Sequence, residues 1–248
     1  MENTNTAEPC VVLLHGLART NRSMRKIASA LKAEGYRIAN IDYPSRQNRV
    51  EKLADLAVTA GLERCQTFGA ERIHFVTHSL GGILVRYFLT QHELPNLGRV
   101  VMLGPPNHGS EIVDALRDVP GYFLLNGPAG NQLGTDPDAI TRQLGPVNYP
   151  VGVIAGTKSI NLILSIWLPD PDDGKVSVRS THLEGMSDLI TVPVAHPFLP
   201  GNREVIAQIL KFLHSGNFDH AQATRYHAAA AELWSCEQTG ELDDCGAN

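Results

Sequence analysis

Residues 77–82 read Thr-His-Ser-Leu-Gly-Gly and come directly after the apolar run Ile73–Val76. They lead into Ile83–Leu89, which can continue as a helix. A serine at the tip of a sharp strand-to-helix turn, with glycine two residues later, pushes its hydroxyl into solvent. The N–H of the next residue, here Leu80, then points at a developing oxyanion. The chemistry implied is nucleophilic attack by Ser79, and close approach of neighbouring backbones gives Gly81 a steric reason to be glycine. Thr77 stands where such turns usually have a further glycine. A plainer role is open to the same residues, because a serine before Leu-Gly-Gly can cap a helix N-terminus with no chemistry at all.

A serine nucleophile needs a base, an acid to orient that base, and two oxyanion donors. In the usual order of sites built on such a turn the acid follows the serine and the histidine comes last. His196, two residues beyond the predicted strand Leu189–Val194, is the expected base. His108 is its strongest rival, while His214, His220 and His227 lie in the final helix or tail. The acid is sought between Ala155 and Leu189, where Asp170, Asp172, Asp173, Glu184 and Asp188 qualify. Asp173 is favoured because Asp173-Gly174 is a turn-forming pair that would aim the carboxylate back at the sheet. Asp172 is second, and Asp114, one strand earlier, is the alternative; the cluster 170–173 could also be only a solvated loop. For the second oxyanion donor, His15-Gly16-Leu17 follows the first predicted strand, and the Leu17 N–H can face the site beside that of Leu80.

The elements that must position these residues alternate along the chain. Short apolar runs at Cys10–Leu14, Tyr36–Ile41, Ile73–Val76, Arg99–Leu103, Val151–Ala155 and Leu189–Val194 are predicted strands, most of them covered on both faces. Helices are expected from Asn21 to Gly35, over Val50–Cys65, after Ser79, and over Arg203–Leu213. The alternation predicts a parallel, doubly wound α/β sheet with right-handed crossovers. It lapses over residues 105–148, rich in Gly and Pro, where only short helical pieces fit, such as Glu111–Arg117 and Ala139–Leu144. An insertion this long usually serves a site, so a small cap over the serine is expected. Leu162–Leu168 is a dense apolar patch, suited to an acyl pocket, a cap face or the core. Residues 1–216 are expected to form one domain, with 217–248 a partly helical tail carrying a helix at Ala221–Trp234.

Composition narrows the class. The chain has 248 residues, 43% of them hydrophobic, enough for one large core. A net charge of −5 and a pI near 6.0 give no reason to expect nucleic acid as a partner. No apolar run is long enough to span a bilayer, and residues 1–9 lack the pattern of a secretory signal, so a soluble, cytoplasmic protein is expected. The four cysteines, Cys10, Cys65, Cys236 and Cys245, form no metal-binding pairs, and no metal or cofactor is expected. Cys10 and Cys65 are read as reduced apolar fillers; Cys236 and Cys245 could bridge in an oxidising compartment.

Taken together, Val11–Leu17, Thr77–Gly82, Asp172–Val178 and Val194–His196 resemble the α/β-hydrolase superfamily, in particular bacterial serine esterases and lipases, over roughly residues 9–214. The resemblance implies hydrolysis of carboxylic esters through an acyl-enzyme without metal or organic cofactor. It makes Ser79 the nucleophile, His196 base and acid, Asp173 its orienter, and the Leu17 and Leu80 N–H groups the oxyanion hole. Relatives with one glycine in this loop often take medium or longer acyl chains, so a small-molecule or lipid ester is expected, and the apolar patch Leu162–Leu168 with the expected cap adds transient contact with a lipid surface. An acyltransferase or thioesterase would use the same residues, and a non-catalytic binding protein could keep the scaffold.

Overall fold

The computed structural model describes residues 8–119, 121–159, 168 and 171–223. Six strands, β1 (Cys10–Leu14), β2 (Arg37–Ile41), β3 (Ile73–His78), β4 (Leu97–Leu103), β5 (Val151–Gly156) and β6 (Asp188–Val192), form one sheet in the order β2-β1-β3-β4-β5-β6. Every neighbouring pair is parallel. The order places β1 and β3, which precede the His15 loop and Ser79, side by side in the interior of the sheet.

Side chains alternate across the pleat, and both faces of β1 are fully buried, which is why its sequence is apolar without interruption. Val12 and Leu14 face one layer with α2 (Val50–Thr67) and α3 (Leu80–Gln91). Val11 and Leu13 face the other, with α1 (Arg25–Ala33) and the C-terminal helix Arg203–Ser215. That last helix buries Val205, Ile209 and Phe212 at helical spacing, is capped by the Asn202 side chain on Val205 N, and stops at Gly216, φ 86°. Helices cover both faces, as expected. Among the described residues no helix is long and apolar enough to cross a membrane.

Three short helices occupy the insertion: α4 (Glu111–Leu116), α5 (Tyr122–Asn131) and α6 (Ile140–Gln143), followed by α7 (Val178–Thr181) and α8 (Arg203–Ser215). α5 falls on Asn126-Gly127-Pro128, a further short helical piece within this Gly- and Pro-rich stretch. Gly127 (φ 68°, ψ −176°) kinks it, so two short helical pieces meet where Gly and Pro forbid one continuous helix. Arg86 of α3 binds this segment, donating to Asn107 O and Oδ1 and to Gly145 O. Burial lowers its pKa to about 10. Strand β6 ends at Val192 rather than Val194, because Pro193 has no N–H to continue the ladder. Residues 220–223 are helical; the remainder of the tail helix, most of the 162–168 patch, and Cys236 and Cys245 lie outside the described residues.

The expectation that Cys10 and Cys65 are separate reduced fillers is corrected: they form a disulfide, with Cα atoms 5.7 Å apart. α2 connects parallel strands and therefore runs antiparallel to them, bringing its C-terminal end back to where β1 begins. It lies tightly on β1, since a Cβ on Gly61 would meet Val12 Cγ1 at 2.4 Å.

Candidate active site

Ser79 sits between β3 and α3 at φ 53°, ψ −121°, a conformation that L-residues with a Cβ rarely adopt. Its N–H is tied to Leu103 O (2.8 Å) on β4, which holds the turn against the neighbouring strand. A Cβ on Gly81 would lie 2.7 Å from Leu14 O, the close approach expected from the sequence. Ser79 makes no side-chain capping bond, so the helix-cap role is not the one it plays. Leu80 is the first residue of α3, where an N–H has no partner within the helix.

Asp173 and His196 come from separate loops after β5 and β6 and meet. His196 Nδ1 donates to Asp173 Oδ2 at 2.7 Å, and His196 N donates to Asp173 O at 2.9 Å. Asp173 Oδ1 accepts from Lys175 N (3.0 Å) and Val176 N (2.8 Å), so the turn itself fixes the carboxylate. The carboxylate is fully buried and His196 nearly so. His196 Nε2 is buried and makes no hydrogen bond. Ser79, Asp173, His196 and Leu17 line one cavity of about 220 Å³. A Cβ on Gly16 would stand 3.2 Å from Ser79 Cβ, so the loop carrying Leu17 lies directly against the serine.

The other candidates are placed elsewhere. Asp172 Oδ1 accepts from Gly174 N inside its own turn. Asp114 pairs with Arg117 and Thr135, and Asp188 with Phe218 N and His220. His108 lines a different cavity with Arg142 and Arg179. Asp170 lies outside the described residues. The cavity with Ser79 has no lining residue from 105–148 among the described ones, although α5 comes against Leu17: a Cβ on Gly130 would meet Leu17 Cδ2 at 2.9 Å.

Several residues here were not singled out from the sequence. His78 is buried beneath the site; its Nε2–H donates to His196 O (3.1 Å), and its ring lies 4.8 Å from that of His196. His15 is buried too, its Nδ1–H on Gly16 O (2.9 Å) and its ring stacked on Tyr43. Burial is the main cause that holds His15, His74 and His78 below the ordinary imidazole pKa, His74 at about 4. The folded protein keeps these rings neutral, whereas the unfolded chain binds protons below about pH 6.5. Their stability contribution is therefore full above that value and is lost as the pH falls towards about 4. Thermal unfolding should shift to lower temperature between about pH 7 and pH 5; a midpoint unchanged across that range would contradict this.

Gly104, at the end of β4, has φ 51°, and a Cβ there would lie 3.0 Å from both Asp173 Oδ2 and His196 Nδ1. A glycine ending a strand beside the serine turn was the available signal. Gly104→Ala would strain the backbone and wedge the pair apart, and kcat/KM for a p-nitrophenyl ester should fall about 10–100-fold. Unchanged turnover would show that the pair tolerates the displacement.

Solved structures with this fold include a mature lipase from Bacillus licheniformis (TM-score 0.68, 22% identity, covering 86% of this chain and 95% of that one). Others are an esterase from Pyrococcus furiosus (0.59, 15%, 85% and 82%) and one from Rhodococcus sp. ECU1013 (0.54, 17%, 85% and 92%). At these identities the likeness is one of fold. No curated protein sequence matches the chain. Residues 11–246, nearly the whole length, match the profile of the alpha/beta hydrolase family. With its parallel sheet and serine turn in the corresponding order, the chain belongs to the alpha/beta hydrolase family.

Proposed function

We propose that this hydrolase cleaves carboxylic esters, with Ser79 as nucleophile, His196 as base and acid, and Asp173 as the group that orients His196. The observation that carries the reading is the 2.7 Å Asp173–His196 bond, which leaves a buried, unpartnered Nε2 in the cavity shared with Ser79. With Nδ1 protonated towards Asp173, Nε2 is the basic nitrogen. It takes the Ser79 hydroxyl proton as Oγ bonds to the ester carbonyl carbon, and the carbonyl oxygen becomes an oxyanion facing the Leu17 and Leu80 N–H groups. Collapse breaks the bond to the alcohol oxygen, which leaves with the proton from His196. Water then repeats the sequence on the acyl-enzyme, releasing the acid and restoring Ser79. No step requires a metal or organic cofactor.

The segment 105–148 is best read as a buttress for the His15–Leu17 loop, given the contact of α5 with Leu17. Exposed Phe198, two residues beyond His196, and exposed Leu124 on α5 favour transient contact with a lipid surface. The Cys10–Cys65 bond favours an oxidising compartment over the cytoplasm.

Incubation with p-nitrophenyl acetate, butyrate and longer esters, followed by a fluorophosphonate probe, tests the reading. Turnover of an ester and a covalent label on Ser79 are expected. No turnover on any of them and no label would overturn it.

A further inference from the structure

The cavity beside Ser79 carries positive charge that the reaction above does not use. Arg19 and Lys175 both line it, reaching it from the loop after β1 and from the Asp173 turn. Neither makes an ion pair or side-chain hydrogen bond among the described residues. The carboxylate lining the same cavity, Asp173, is already engaged by His196 Nδ1 and two backbone N–H groups. Lys175 is only partly exposed, and burial is the main cause that lowers the pKa of its ammonium, with Arg19 acting the same way and Asp173 opposing. A partly desolvated ammonium without a partner is costly, and it is retained more readily where a ligand supplies the missing anion. Arg19 is exposed at the mouth, and its planar donor fork suits a carboxylate or phosphate.

We propose that Arg19 and Lys175 form an anion subsite, and that the preferred substrates are esters bearing a carboxylate or phosphate close to the scissile bond. This rests on the ester-hydrolase reading and narrows it to charged esters. Either half of the ester can carry the anion, and two substrate pairs separate these sources. On the acyl side, monomethyl adipate is compared with methyl hexanoate. On the alcohol side, 1-butyrylglycerol 3-phosphate is compared with 1-butyrylglycerol.

At low salt, kcat/KM for the anionic member of at least one pair should exceed that for its neutral partner by about tenfold or more, and the ratio should shrink as salt rises. Arg19→Gln, a change at an exposed residue, should lower the ratio several-fold, and Arg19→Gln/Lys175→Gln should bring it near one. The readout is a ratio within one protein, so a general loss of activity in the variant does not imitate the effect. Equal or better turnover of the neutral member in both pairs would overturn the subsite while leaving ester hydrolysis standing. So would a preference that survives the double substitution. Absence of turnover on all four esters together with absence of fluorophosphonate labelling would overturn the hydrolase reading itself, and the subsite with it.

Discussion

Ser79→Gly is expected to abolish ester hydrolysis while giving a protein that melts above the Ser79→Ala variant. Loss of a serine nucleophile of this kind lowers kcat by about 10,000-fold to 1,000,000-fold, the residual rate coming from binding and oxyanion donors. Alanine removes the hydroxyl but keeps a Cβ at φ 53°, ψ −121°, so the backbone strain stays. Glycine removes both, and such a conformation costs roughly 1–3 kcal/mol for a residue with a side chain. Part of that gain is offset by the greater freedom of glycine in the unfolded chain, roughly 0.5–1 kcal/mol. A net advantage of about 1 kcal/mol over alanine corresponds to about 2–4 °C in a domain of this size. Activity near the parent level in either variant would remove Ser79 from the mechanism. A glycine variant melting below the alanine variant would show that the turn is held without strain.

The largest expected effect on stability comes from reducing Cys10–Cys65. The bridge spans 55 residues of sequence, and the chain-entropy argument gives about 4 kcal/mol for a closed loop of that length. Whole domains are stable by only about 5–15 kcal/mol, so this is a large fraction. Denaturant unfolding with and without a strong reductant measures it. The midpoint should move to distinctly lower denaturant in reductant, and Cys10→Ala/Cys65→Ala should unfold early in both conditions. A midpoint indifferent to reductant would mean that the bridge contributes nothing. The bridge ties β1, which leads into the His15 loop, to the end of α2, which leads into β3 and Ser79, so ester hydrolysis and the thermal midpoint should fall together in reductant near the unfolding transition.

Much of this arrangement is legible in the chain itself. Apolar runs such as Cys10–Leu14 and, but for His74, Ile73–Val76 declare strands buried on both faces, and Ile27 with Leu31 or Val205 with Ile209 declare single-sided helices. Glycine and proline allow only short helical pieces in 105–148, and α5 is one of them, kinked at Gly127.

Chain order also determined where the chemistry could sit. In a parallel sheet the carboxyl ends of the strands share one edge, so the residues after β1, β3, β5 and β6 converge whatever the details of packing. Chain order alone therefore brings His15–Leu17, Ser79, the acidic cluster and His196 to one neighbourhood. The Asp173-Gly174 turn pair already favours Asp173 within the acidic cluster, and the fold supplies the reason. Asp173 rather than Asp172 meets His196 because two backbone N–H groups of its own turn fix one carboxylate oxygen and leave the other facing the imidazole. The disulfide, the buried His78 beneath His196, Gly104 against the Asp–His pair and the meeting of Arg19 with Lys175 are likewise relations between segments far apart in the chain. Periodicity and turn chemistry act over a few residues, whereas these pairings depend on ångström-scale packing of one element on another, and only the folded structure decides them.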